Sequence, residues 1–108
     1  MQINILGTPY EIIISNKKEH PALNSCDGYC DNSTKKCIVY DCKDTDSRYA
    51  VENLSESINR VMRHELVHAF LFESGLHNDS WAANEAAVDW IANQFPKILK
   101  AFQEAGCI

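Results

Sequence analysis

"RHELVHAF", residues 63 to 70, sets two histidines and a glutamate into the most apolar part of the chain. Ionisable groups lose hydration when buried, and the loss must be offset by partners of opposite charge or by a metal. Outward from this stretch the pattern is helical. "NLSE" supplies an Asn cap at residue 53 with Glu56 three residues on, and Gly75 supplies a stop after Ser74, which predicts a helix over about 54 to 74. Leu54, Ile58, Val61 and Met62 give its first turns an apolar stripe. Leu66, Val67, Ala69, Phe70, Leu71 and Phe72 leave the second half almost no polar face, so burial nearly all round is expected there.

On such a helix His64, Glu65 and His68 form H-E-x-x-H. Histidines four apart share one face, so both imidazoles can bind one zinc ion. Glu65, about 100° further round, can reach a water there as a base. Downstream, Ser80 is placed to cap a second helix starting at Trp81, with Val88, Ile91, Ala92 and Phe95 as its apolar stripe. Pro96 lacks an amide donor and should kink or restart that helix before "KILKAFQEAG". Glu85 and Asp89 interrupt its apolar segment four residues apart, and two carboxylates buried side by side repel without a cation. Glu85 as third zinc ligand, with Asp89 accepting from the far nitrogen of a ligand histidine, resolves this. The connection "ESGLHNDS" is short, which predicts antiparallel neighbouring helices.

Upstream, "INIL" and "YEIIIS" around "GTP" read as two short strands in a hairpin, residues 16 to 35 as a long polar loop, and "KKCIVYDC" as a third strand over about 36 to 42. In the last, Ile38 and Tyr40 lie on one face and Val39 on the other; "KDTDSR", 43 to 48, is a polar break. The whole is expected to be one α+β domain over 1 to 108, with a small three- or four-stranded sheet packed on the H-E-x-x-H helix and a second ligand-bearing helix.

With 45% hydrophobic and 23% charged residues the chain has a globular balance, and its net charge of -5 argues against nucleic acid as a partner. No apolar run has the length of a signal or a membrane span, so a cytoplasmic protein and no membrane partner are expected. Cys26, Cys30, Cys37, Cys42 and Cys107 are an odd number, which without a signal favours reduced thiols. A four-thiolate zinc site from the first four would need tighter knuckles than their spacings offer, and a cysteine in place of Glu85 explains fewer residues.

"HELVH" followed by "NEAAVD" resembles the gluzincin pattern of zinc metallopeptidases, H-E-x-x-H with a later E-x-x-x-D. "GYCD" (28 to 31), the run at 36 to 41, the motif helix and a "W-A-x-N-E" helix together resemble small phage or prophage metallopeptidases related to the ImmA/IrrE group, over about residues 28 to 103. The resemblance implies a minimal zincin-like fold holding one zinc ion, with His64, His68 and Glu85 as ligands, Glu65 as general base and Asp89 behind a ligand histidine. It also implies an endopeptidase whose partner is a protein or peptide substrate of the helix-turn-helix repressor class. The enzyme is expected to act as a monomer. Tyr29, Tyr40 and His77 are candidates for stabilising the oxyanion. In the fold resembled, the strand over 36 to 40 borders the cleft as an edge and can pair with an extended substrate. A second class of function stays open: a catalytically silent zinc-containing module or antirepressor that uses the fold to dock.

Overall fold

A computed structural model describes residues 1–43 and 53–108. The polar break read at 43 to 48 falls, beyond Lys43, outside the described residues. Strand β1 (Gln2–Ile5) runs into β2 (Thr8–Ser15) through Leu6 and Gly7, at φ of 51° and 93°. Two central residues at positive φ match the twist of a two-residue hairpin. Asn4 Oδ1 accepts the Gly7 N–H at 2.7 Å. The hairpin expected around "GTP" therefore forms, with its turn at Leu6 and Gly7 and Ile5 opposite Thr8.

The polar stretch after it is not all loop. It holds a 3₁₀ turn (Pro21–Asn24) and an additional strand, β3 (Gly28–Asp31), which pairs antiparallel with β4 (Lys36–Tyr40). β4 also pairs in parallel with β2, so the four-stranded mixed sheet has the order β1-β2-β4-β3. This corrects the expectation that residues 36 to 40 form an edge: β4 is an inner strand, and all its residues after Lys36 are buried. β3 is the edge instead. "GYCD" hides its strand character because it has glycine and aspartate at its ends and is half-buried throughout.

One face of the sheet receives helix α1 (Leu54–Glu73), where Ile5, Tyr10, Ile12 and Cys37 pack against Ala69, Met62 and Leu66. The other face is covered by the 3₁₀ turn, with Leu23 on Ile38 and Tyr40. α1 begins as predicted, Asn53 accepting from the Glu56 N–H at 3.1 Å, and ends at Ser74 and Gly75 (φ 79°). Its second half is not buried all round: Ala69 and Leu71 are inside while Phe70 stays 46% exposed, because among the described residues α1 is covered by the sheet and one helix.

That helix is α2 (Glu85–Glu104). It starts four residues after Trp81. Asn84 is its cap, accepting from the Ala86 N–H at 2.8 Å, and Ser80 lies in the preceding turns. It also continues through Pro96 without a restart. Proline at 96 deprives the Ala92 carbonyl of its helical donor. Ala92 is fully buried, and Arg63 Nε of α1 donates to that carbonyl at 2.7 Å. The guanidinium supplies the hydrogen bond the proline removes. Contacts run from Arg63 to Ala92, His64 to Asp89 and His68 to Glu85, so the helices are antiparallel as the short connection predicts. Val88 packs against Leu71 and Ala82 at their junction.

The end of α1 is tied to the sheet by Glu73, whose carboxylate accepts from Lys35 Nζ (2.7 Å), the Tyr10 hydroxyl (2.7 Å) and Thr8 Oγ1 (3.1 Å). These donors, Lys35 foremost, hold the Glu73 carboxyl below its ordinary range. They offset the unfavourable position of an anion at a helix C-terminus. Among the described residues no helix is long and apolar enough to cross a membrane.

Candidate metal centre

Nearly three turns into α1, His64 and, one turn on, His68 project from one face, with ring centroids 4.8 Å apart. Glu85, in the first turn of α2, meets both. Its Oε2 lies 2.9 Å from His64 Nε2 and its Oε1 3.0 Å from His68 Nε2, while the two Nε2 atoms are 3.1 Å apart. The three residues offer ligand atoms that all lie within 4.8 Å of one another and could hold a metal ion. Two donors on a tetrahedral zinc, each at about 2.0–2.1 Å, stand roughly 3.3 Å apart, close to these separations. Behind the site, His64 Nδ1 is 2.8 Å from Asp89 Oδ1. An ionised carboxylate only accepts, so Nδ1 carries the proton, and in the neutral ring Nε2 is left with a lone pair facing Glu85. Acceptor facing acceptor is a contact that a cation relieves. The donor set therefore fits a metal of zinc's kind.

Glu65 differs from the ligand atoms in being deeply buried, 6% exposed. Burial is the main cause that raises its carboxyl to about 7; the His64 ring opposes the rise and the Glu85 carboxylate adds to it. By contrast Glu85 and Asp89 are side chains 70% and 50% exposed. Their interruption of an apolar segment does not mean burial, which corrects the expectation of two carboxylates buried side by side. They sit at a rim, where water and the two histidines already moderate their repulsion. Convergence of the donor atoms, not burial of the acids, is what singles the pair out.

The site opens into a cavity of about 590 Å³. On the α1 and α2 side it is bordered by His64, Glu65, His68, Glu85 and Asp89, with Arg60 and His77 at its margins. Arg60 Nη1 stands 3.8 Å from Asp89 Oδ1, and His77 packs its ring 4.7 Å from that of Phe72. The opposite wall is β3 and the residues before it, Cys26 to Cys30. Of the phenol and imidazole candidates, Tyr29 packs its ring against the Leu23, Ile38 and Tyr40 cluster on the far face of the sheet although its strand walls the cavity, and His77 borders the cavity. Tyr40 does not, and it must be withdrawn: it is 5% exposed and packs on Leu23 and Ile38 on the far side of the sheet from α1. Strand alternation puts it there, on the same face as Ile38.

Sequence reasoning missed Gly28. A Cβ at this position would come within 2.7 Å of Val61 Cγ1 and 3.3 Å of Glu65 Cγ, so only glycine lets β3 approach α1 this closely beside Glu65. Its signal was a glycine inside an otherwise polar run, which reads as a turn until a helix is known to cross it. Arg63 was missed likewise, because the need for it arises from a proline 33 residues later. Among the described residues no three cysteines come together as a ligand set, and Cys26, Cys30, Cys37 and Cys107 are free thiols. Comparison of the chain with protein-family models, with curated proteins and with solved structures gave no match.

Proposed function

We propose that the chain is a zinc-dependent endopeptidase of minimal zincin-like fold, with His64, His68 and Glu85 holding one ion and Glu65 acting as general base. The observation that carries this is the convergence of two imidazole nitrogens and a carboxylate on one point, with a second, buried carboxylate next to it in sequence and in the same cavity. Bound there, zinc supplies a Lewis acid that polarises a carbonyl and lowers the pKa of a water molecule towards about 7.

The chain's own residues account for the rest. Asp89 orients His64 through Nδ1 and keeps its Nε2 lone pair turned to the site. Glu65 takes a proton from the attacking water and delivers it to the leaving amine, and its apolar surroundings bring its affinity for that proton near neutrality. His77, at the cavity margin, is the imidazole assigned to the oxyanion in this reading. A substrate strand is held by β3. Alternation along the β3–β4 ladder, in which the Tyr40 N–H reaches the Asp27 carbonyl, turns the N–H and C=O of Gly28 and Cys30 away from β4. Those groups can add an extended peptide as a further strand across the cavity. A flexible segment of a repressor protein is the substrate class the resemblance points to.

The test compares the wild type with Glu65→Gln, both loaded with zinc and incubated with a degenerate peptide library read by mass spectrometry. Cleavage by the wild type and a loss of about 10²–10⁴-fold in the variant, with zinc content unchanged, is the expected result for a missing general base. Zinc binding without cleavage in either protein would turn the assignment to the silent docking module.

A further inference from the structure

Cys30 and Cys37 are chemistry-bearing side chains that the metal centre does not use. They face each other across β3 and β4, with the two sulfurs 3.3 Å apart. Because Asp27 and Tyr40 form a hydrogen-bonded pair on that ladder, the Cys30–Cys37 pair three rungs on is of the non-hydrogen-bonded kind, with α-carbons about 4.5 Å apart. A disulfide spans roughly 4.4–6.8 Å between α-carbons, so the strands need not move for one to close. Cys26 and Cys107 lack this placement: Cys26 turns its thiol to the Ala22 carbonyl, and Cys107 lies near the far end of α2.

We infer that Cys30 and Cys37 form a reversible dithiol–disulfide pair in the wall of the cavity, oxidised by small hydroperoxides. Cys30 is the entry point, since it is half-buried and borders the cavity while Cys37 is fully buried. The Cys37 thiol donates to Cys30 and so favours the Cys30 thiolate; the same bond, with burial, pushes the Cys37 thiol up. The Cys30 thiolate attacks the peroxide, breaking the O–O bond to give a sulfenic acid and, with one proton, an alcohol or water. Cys37 sulfur then displaces hydroxide from the sulfenic sulfur, and the Cys37 proton converts that hydroxide to water. In sum two thiols are oxidised, one peroxide is reduced and one disulfide is formed.

Oxidation would have a local consequence. The Cys30 thiol donates to Asn32 Oδ1 at 3.4 Å, and the same oxygen is 3.5 Å from the Tyr10 hydroxyl that also serves Glu73. A disulfide removes the first donor and pins the cavity's edge strand to the inner strand. None of this depends on whether the centre holds zinc.

The experiment uses the full chain with Cys26→Ser and Cys42→Ser, so that Cys30 and Cys37 are the sole thiols in the tryptic peptides that carry them. Reduced, folded protein is treated with hydrogen peroxide, alkylated and digested without reductant. The expected result is loss of both thiols, a cross-link between peptides 19–35 and 37–43, and full release by dithiothreitol. The link should form faster in the folded protein than in urea. Cys30 advancing to sulfinic acid with Cys37 still alkylated on unfolding would overturn the inference, as would a cross-link that forms no faster when folded.

Discussion

Asp89 shows how one side chain can matter to the site without being one of the three candidate ligands. Its Oδ1 is 2.8 Å from His64 Nδ1, which fixes the ring's orientation and the nitrogen left to bind. Asp89→Asn keeps the shape but replaces a charged acceptor by an amide, so zinc affinity should fall about 10–100-fold while Glu65 and the three ligands remain. A competition titration with a chromophoric chelator measures this, and unchanged affinity would mean that Asp89 serves only Arg60. At this scale the sequence was most legible where spacing alone brings atoms together. His64 and His68 share a face by helical periodicity, and Asn53 caps because its side chain can reach the Glu56 amide. Tyr40 was misjudged because a phenol near a motif says nothing of which side of the sheet it occupies until the helix is placed. Gly28 was invisible because its constraint is the body of α1 above it.

Among the elements, α2 depends on a repair made from α1. Arg63 donates to the Ala92 carbonyl that Pro96 leaves without a helical partner. Removing Arg63 by alanine leaves a buried acceptor unsatisfied and should destabilise the protein by about 1–3 kcal/mol. In a Pro96→Ala background the helix supplies its own N–H, so the same change should cost less. Urea unfolding of the four proteins in that cycle reads the coupling directly, and equal costs in the two backgrounds would show that Arg63 does not replace the lost bond. This is also why a kink or restart at Pro96 was expected and is not found: local chemistry penalises the proline, and the compensating donor is distant in sequence.

The bond from Glu73 to Lys35, Tyr10 and Thr8 gives the α1–sheet junction a pH dependence. Its carboxyl is held below the ordinary 4.5, so the folded state binds that proton less readily than the unfolded chain. The contribution is complete above the unfolded value and is lost as pH falls through the lowered folded one. The melting-temperature gap between wild type and Glu73→Gln should therefore be steady at neutral pH and close as the pH drops below about 4.5. A gap that widened in acid would reverse the assigned sign.

At the scale of the molecule, the described residues form four strands and two helices, a mixed sheet with one helix laid on it and the second beside that helix. Long apolar segments with caps were legible: the β1–β2 hairpin, β4 and α1 follow from patterns that no neighbour overrides. Strand order was not, because β3 has the composition of a loop and becomes a strand by pairing with β4 and passing beneath α1. That difference moves the sheet edge beside the cavity, where the proposed substrate would pair, from residues 36–40 to 28–31 and puts Cys30 in the cavity wall. The cysteines near the site also set the most direct test of the proposed metal centre, since a thiolate ligand would demand a different one. X-ray absorption at the zinc edge of the loaded protein should show one zinc in an all-nitrogen and oxygen shell at ~2.0–2.1 Å, with the outer-shell scattering of two imidazoles. A sulfur scatterer at ~2.3 Å would contradict the centre built from His64, His68 and Glu85.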